Sequence, residues 1–254
     1  MNITSHNKEA WNQYVTNKVR WTIPVSEDEI EKARQGIWSI VLTPAKPVPH
    51  KWFPDLNGLK ILGLASGGGQ QGPILAALGA RVTIFDNSEN QLNQDQILSS
   101  RYNLNIETVQ GDMKDLSVFS DGSFDLVFNP CSLVFVDNIK PVWRECFRVL
   151  KPGGILMTGL INPVTFQIDH DKQPFQLIYK QPYSDIHSLP KEKLNDLITS
   201  HEALEFGHSL TDQIGGQLEA GFVITDFYED GWDGEKLIDQ YLPSFFATRA
   251  MRKY

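Results

Sequence analysis

Cysteine is scarce: Cys131 and Cys146 are the two in 254 residues. Two thiols cannot build a disulfide scaffold or a four-cysteine zinc site. The core must therefore rest on apolar burial, and a reducing, cytoplasmic location is expected. Long apolar runs are missing too. No stretch approaches the ~20 residues of a membrane span, and the start MNITSHNKEAWNQYV has no apolar centre of the signal-peptide kind. No membrane partner is expected. Positive charge is in short supply: 23 Lys+Arg face 31 Asp+Glu, a net charge of −8. Beyond residue 55 the balance is 16 basic to 25 acidic side chains. Such a body repels phosphate backbones, so a nucleic-acid partner is not expected.

What is present is core material. Hydrophobic residues make up 41% and aromatics 11%, which excludes a disordered chain. A chain of this length can bury about 75% of its unfolded surface. Residues 1–55 are aromatic-rich and broken by Pro44, Pro47, Pro49 and Pro54. Within them, 26–42 (SEDEIEKARQGIWSIVL) reads as a helix, with Ser26 as N-cap and Glu29 completing a capping box.

From residue 59 the rhythm becomes strand–helix. Strands are predicted at 59–64, 81–85, 106–110, 124–129 and 154–161, and helices at 71–79, 88–102 and 139–150. Continuous apolar strands between amphipathic helices imply a parallel sheet covered on both faces. Residues 163–208 interrupt the pattern with four prolines, and a helix (210–220) and strands at 222–228 and 244–252 follow. The expected organisation is one domain over 1–254: an N-terminal helical lid (1–55), a ligand-binding core (56–162), an insertion (163–208) and a closing helix and strand pair (209–254).

The segment Gly63-Leu64-Ala65-Ser66-Gly67-Gly68-Gly69-Gln70-Gln71-Gly72 follows the first of these strands and opens a helix. Residues without Cβ let a ligand lie against the backbone, and the helix N-terminus offers free N–H groups to an anion. Gly67, Gly69 and Gly72 match G-x-G-x-x-G, a pattern that a glycine-rich turn without a ligand also produces. Asp86 ends the second strand, where a carboxylate can accept both hydroxyls of a ribose; capping the next helix is its other possible duty. Both elements fall at the C-terminal edge of the sheet, where such folds bind ligands. The reading is a nucleoside-containing ligand, either a nicotinamide dinucleotide or S-adenosylmethionine.

The order of motifs over 59–161, and again near the C-terminus, resembles the class I S-adenosylmethionine-dependent methyltransferases, in their small-molecule branch (methyltransferase type 11). ILGLASGGG (61–69) looks like the family's first motif, Asp86 like its ribose-holding acid, and Gly111-Asp112-Met113 like the motif that frames the adenine. FRVLKPGGI (147–155) looks like the turn before its fifth strand, and SFFATRAMR (244–252) like its antiparallel last strand. The resemblance implies a doubly wound, mostly parallel seven-stranded α/β sheet of Rossmann-like type with an antiparallel last strand. It implies S-adenosyl-L-methionine as cofactor and methyl transfer to a small-molecule acceptor. The cofactor-binding residues it implies are Ala65, Ser66, Gly67, Gly69, Asp86, Asn87, Gly111, Asp112, Met113 and Asn129, with Asn129 lining the methyl site. Two departures stand out: Gly63 replaces the family's usual acidic residue, and Ala65 replaces the first glycine of its loop. Backbone carbonyls of the loop are then the candidates to receive the cofactor's ammonium.

Trp11 and Tyr14, three apart on a predicted helix, share a face. The resemblance implies that such an aromatic helix folds over the cofactor, where rings favour a sulfonium cation. The alternative is packing on the body; Trp21 and Trp38 are expected in the core. His170 and His187 are the candidates for a general base if the acceptor is a hydroxyl. The spacing of His170, His187, His201 and His208, even with Asp169 and Asp171, fits no compact metal-ligand motif, so no metal is expected. Two alternatives remain at this level. Gly67-Gly69-Gly72 would also suit an NAD(P)-dependent oxidoreductase, although no Tyr-x-x-x-Lys pair accompanies it. Gly63 and Ala65 would suit a protein that binds S-adenosylmethionine or S-adenosylhomocysteine without turnover.

Overall fold

The predicted strand–helix rhythm folds as expected in a computed structural model that describes residues 1–170 and 172–253. Helix α1 (Ile3–Thr16) is N-capped by Asn2, and α2 (Glu27–Arg34) by Ser26, whose capping box with Glu29 is formed. Then come β1 (Lys60–Leu64), α3 (Gln71–Ala77), β2 (Arg81–Asp86), α4 (Glu89–Tyr102), β3 (Ile106–Gln110), β4 (Phe124–Asn129), α5 (Lys140–Val149) and β5 (Leu150–Ile161). The insertion contains two small ladders, β6 (Ile168–Asp169) with β7 (Gln176–Leu177), and β8 (Tyr183–Ser184) with a later β9 (Phe206–Gly207). Between β8 and β9 lie α6 (Asp185–Ser188) and α7 (Lys191–Thr199). Helix α8 (Gly216–Glu219), β10 (Phe222–Asp230) and β11 (Phe245–Arg252) follow.

Seven strands form one sheet in the order β10-β11-β5-β4-β1-β2-β3. Strand β11 runs antiparallel to both neighbours, and the other pairings are parallel. The chain winds outward from β1 in both directions, so the switch point lies between β1 and β4. The two-residue period of the strands divides the core. Ile61, Val82, Ile84 and Phe128 face one apolar layer together with Ile30, Ile74 and Leu92. Leu62, Leu64, Phe85 and Val127 face the other with Trp143 and Cys146.

Several expectations on boundaries are corrected. The helix predicted over 26–42 ends at Arg34, because Gly36 turns the chain with φ +82°. Residues 37–42 then pass beside the sheet outside any helix. There the Leu42 carbonyl comes so close to Gly159 of β5 that a β-carbon on Gly159 would lie 1.9 Å from it. Residues 210–220 are not one α-helix: a π-helical turn at Thr211–Gly215 precedes α8. Gly216 has Trp143 against it, with a ring atom 2.6 Å from where a β-carbon would stand. Helix α7 and the four short strands of the insertion were not anticipated. Asp171, considered with Asp169 as a metal ligand, lies outside the described residues. No helix among the described residues is long and apolar enough to cross a membrane.

Candidate functional site

At the β1 C-terminus the chain must turn sharply into α3, and the glycines make this possible. Gly68 and Gly69 adopt φ +103° and +71°. Ala65 also sits at positive φ, +46°, where a glycine would be free of strain. Two carboxylates hold the turn from opposite sides. Asp86 Oδ2 accepts from Gly67 N–H at 3.0 Å while Oδ1 accepts from Ser88 N–H at 2.9 Å. Asp95 Oδ2, from buried α4, accepts from Gly68 and Gly69 N–H at 3.0 and 3.1 Å. Asp95 is fully buried, its Oδ1 has no partner, and burial pushes its carboxyl up to about 7 against the pull of the two N–H groups. Burial also raises the Asp86 carboxyl, opposed by the N–H donors of Ser88 and Gly67.

Helix α1 crosses above this edge. Thr4 Oγ1 donates to Asp112 Oδ2 at 3.0 Å, and Asn87 Nδ2 donates to Thr4 O at 2.8 Å. Asn12 Oδ1 accepts from Ser88 Oγ at 2.6 Å, and Lys8 pairs with Glu89 at 2.9 Å. Buried Asn7 ties α1 to the turn after β4 and to the end of the insertion, donating to Phe135 O and Leu204 O and accepting from Leu204 N–H. Trp11 packs edge-on against Phe135, ring centres 5.1 Å apart.

Beneath α1 lies a cavity of about 1160 Å³. Ala65, Ser66, Gly67, Asp86, Asn87, Gly111, Asp112, Met113 and Trp11 line one end of it. The other end is lined by Trp21, Val41, Leu42 and Cys131, by Phe166, His170, Phe175, Tyr179, Tyr183 and Glu205 from the insertion, and by Trp232 and Phe245. Ligand pockets commonly span ~300–1,000 Å³, so this volume admits two ligands side by side.

Comparison with known proteins agrees with this architecture. Residues 62–158 match the family described as Methyltransferase domain. A protein of Bacillus subtilis (strain 168), named Uncharacterized methyltransferase YbaJ, is 51% identical over 253 residues, covering 98% of both chains. This chain belongs to the methyltransferases. A solved S-adenosylmethionine-dependent methyltransferase from Mesorhizobium loti superposes with TM-score 0.62 at 18% identity, over 80% of this chain and 94% of that one. The 1,6-didemethyltoxoflavin-N1-methyltransferase of Burkholderia thailandensis, solved with bound 1,6-didemethyltoxoflavin and S-adenosylhomocysteine, has TM-score 0.61 at 13% identity, over 98% of this chain and 87% of that one. At such identities the likeness is one of fold.

In this methyltransferase two features of the cavity wall bear on a cofactor site. Gly111 could not carry a β-carbon, which would fall 2.2 Å from the Phe85 ring. Ser66 Oγ is buried at the cavity wall without a partner, a polar group available to the methionine end. It occupies the space beside Gly63, where the family's usual acid would begin.

Four predicted site residues fall elsewhere. Gly69 does not line the cavity, because its N–H points to Asp95. Asn129 is buried behind the wall: its Nδ2 donates to Leu64 O and Ser132 Oγ, and its Oδ1 accepts from Thr158 Oγ1. Those bonds use its amide, so it braces strand ends instead of lining the methyl site. Tyr14 turns from the cavity to donate to Glu202 Oε2 at 2.6 Å and accept from Ala203 N–H, supporting Trp11 from behind. His187 is exposed on α6 and is not part of the lining. His170 does reach the cavity, with Nε2 2.9 Å from Thr165 O. Trp21, expected in the core, lines the cavity beside Trp232, whereas Trp38 packs at the core margin on Phe53 and His50. Asp95 and Glu205 were missed. A charge in helical step with Leu92 and Leu98 was a signal for the first; nothing local marked the second.

Proposed function

We propose that this methyltransferase acts on a small-molecule acceptor held between residues 1–55 and 163–208, within a single domain. The observation that carries this is the continuity of one cavity from the Asp86–Asp112 end to the aromatic insertion. The Burkholderia methyltransferase, solved with bound 1,6-didemethyltoxoflavin, supports the same class. The acidic body argues against nucleic acid. Free thiols at Cys131 and Cys146 support a reducing, cytoplasmic setting.

S-adenosylmethionine supplies an electrophilic methyl group with a neutral leaving group. Asp86 would hold the ribose hydroxyls, Asp112 and Met113 the adenine, and the Ala65–Gly67 turn with Ser66 Oγ the methionine end. Trp11 and helix α1 would exclude water above it. The chain's work is then placement in a dry site, and a proton acceptor is needed only for an acceptor that keeps its proton until attack.

Calorimetric titration with S-adenosylhomocysteine tests this. Micromolar binding is expected, weakened at least tenfold by Asp86→Ala, with no competing affinity for NADH. Binding of NADH alone would overturn the proposal.

A further inference from the structure

Glu205 is the one acidic side chain of the insertion that borders the cavity without a hydrogen bond from any described residue to its carboxylate. Its backbone is fixed on both sides: Glu205 N–H donates to Asp185 Oδ2 at 2.7 Å, and Asp185 N–H donates to Glu205 O at 3.1 Å. The preceding residue, Leu204, is pinned by Asn7, which also holds Phe135 O in the turn after β4. Glu205 is thus set at the junction of α1, the insertion and the switch-point edge of the sheet. Among the described residues the charged groups that act on it are Asp185 and Glu202, both acids, while Lys193 borders the same cavity. Asp185 is engaged by Tyr183 Oη at 2.6 Å, and Glu202 by Tyr14 Oη. Burial and these two neighbours push the Glu205 carboxyl up to about 7. Glu205 is partly exposed to the cavity, and a carboxylate beside two other acids there attracts a cation or an N–H donor.

The walls around it favour a cation. Phe166 stacks on Tyr183 with ring centres 5.3 Å apart, and Tyr179 meets Tyr183 edge-on at 5.3 Å. All three border the same cavity. Aromatic faces attract cations, more strongly when both are removed from water.

We propose that the acceptor is an aromatic or otherwise apolar molecule carrying a basic amine, and that Glu205 binds this amine as its counter-ion and takes its proton. The proposal rests on the methyltransferase reading above and specifies its acceptor. The ammonium gives one proton to a Glu205 carboxylate oxygen. The freed nitrogen lone pair forms the N–C bond as the C–S bond of the sulfonium breaks. The thioether leaves neutral, and the positive charge passes to the methylated nitrogen. The proton on Glu205 returns to solvent when product leaves.

The test is calorimetric binding to the full chain saturated with S-adenosylhomocysteine, using three probes of one shape: tryptamine, tryptophol and indole-3-propionate. Tryptamine is expected to bind at least tenfold more tightly than the neutral and anionic probes. Glu205→Gln is expected to remove that lead while leaving S-adenosylhomocysteine affinity within twofold. If that variant does not fold, Tyr179→Leu removes an aromatic face without touching the carboxylate and should cut the lead at least threefold. Equal binding of the three probes, no tryptamine binding, or a lead that survives both substitutions would overturn the proposal. Failure of S-adenosylhomocysteine itself to bind the unaltered chain would instead overturn the cofactor reading on which it rests.

Discussion

Ser66 Oγ lies 2.5 Å from where a β-carbon on Gly63 would stand. The Ile84 methyl is 2.6 Å from the same point. The sequence departure at Gly63 is therefore coupled to the serine three residues on: the hydroxyl fills the volume that any side chain at 63 would enter. Gly63→Ala should cost ~1–3 kcal/mol through overpacking. Ser66→Ala in the same chain should return part of that loss, since it removes the orphaned hydroxyl as well as the clash. Urea unfolding of the two single variants and the double would give a coupling of at least ~0.5 kcal/mol. Strict additivity would show that the two positions do not share this space.

Asp95 is expected to govern how stability depends on pH. Its folded-state value of about 7 lies above the ordinary 3.8. Between those limits the folded chain holds more protons than the unfolded chain, so stability falls as pH rises from about 4 to about 7. Asp95→Asn keeps an oxygen for the Gly68 and Gly69 N–H groups and removes the buried charge. The variant should lose part of that slope, by an amount on the order of 1–4 kcal/mol across the window. Asp86, Asp185 and Glu205, raised in the same direction, keep the remainder. Asp95→Ala should instead leave two buried N–H groups short of an acceptor, lower stability at every pH, and weaken S-adenosylhomocysteine at least tenfold. Thermal unfolding from pH 4 to 9 separates the two cases.

The sheet was legible because its strands are short apolar runs between breakers, and 106–110 and 124–129 matched to the residue. The helix over 26–42 was overextended because Ile37, Trp38, Ile40 and Leu42 are apolar in either geometry. The decisive residue was Gly36, whose left-handed turn ends α2. At the site, motif order pointed to Asp86 and Asp112, and both border the cavity. It could not show whether Asn129 and Gly69 turn toward the cavity or away, because that depends on partners far along the chain: Thr158 and Asp95. Glu205 was invisible for the same reason, since its setting comes from Asn7, Phe135 and Asp185. Pro190 as N-cap was the available signal for α7.

Trp11 and Tyr14 share a helix but are expected to separate in function. Tyr14→Phe removes the bond to Glu202 and leaves Ala203 N–H unpaired, which should cost ~1–2 kcal/mol of stability. S-adenosylhomocysteine affinity should stay within twofold, because the hydroxyl faces away from the cavity. Trp11→Ala opens the roof directly and should weaken binding at least fivefold. Equal effects on binding would mean that α1 acts only as a rigid unit.

Asn129 joins three pieces at the sheet edge: β1 through Leu64 O at 2.8 Å, its own turn through Ser132 Oγ at 2.6 Å, and β5 through Thr158 Oγ1 at 3.0 Å. Asn129→Ala should cost ~2–4 kcal/mol, since Leu64 O and Ser132 Oγ lose the amide donor and Thr158 Oγ1 keeps only Gly159 O. Asn129→Asp is nearly the same size but replaces the donor facing Leu64 O with an acceptor. At pH 8 a buried carboxylate would oppose that carbonyl oxygen, and the loss should exceed that of the alanine variant. On lowering the pH to 5 the buried carboxyl takes up a proton and can donate to Leu64 O again. The melting temperature of Asn129→Asp should therefore approach that of the unaltered chain as pH falls, while the Asn129→Ala deficit stays constant. A deficit independent of pH in both variants would show that the donor to Leu64 O is not what holds this edge together.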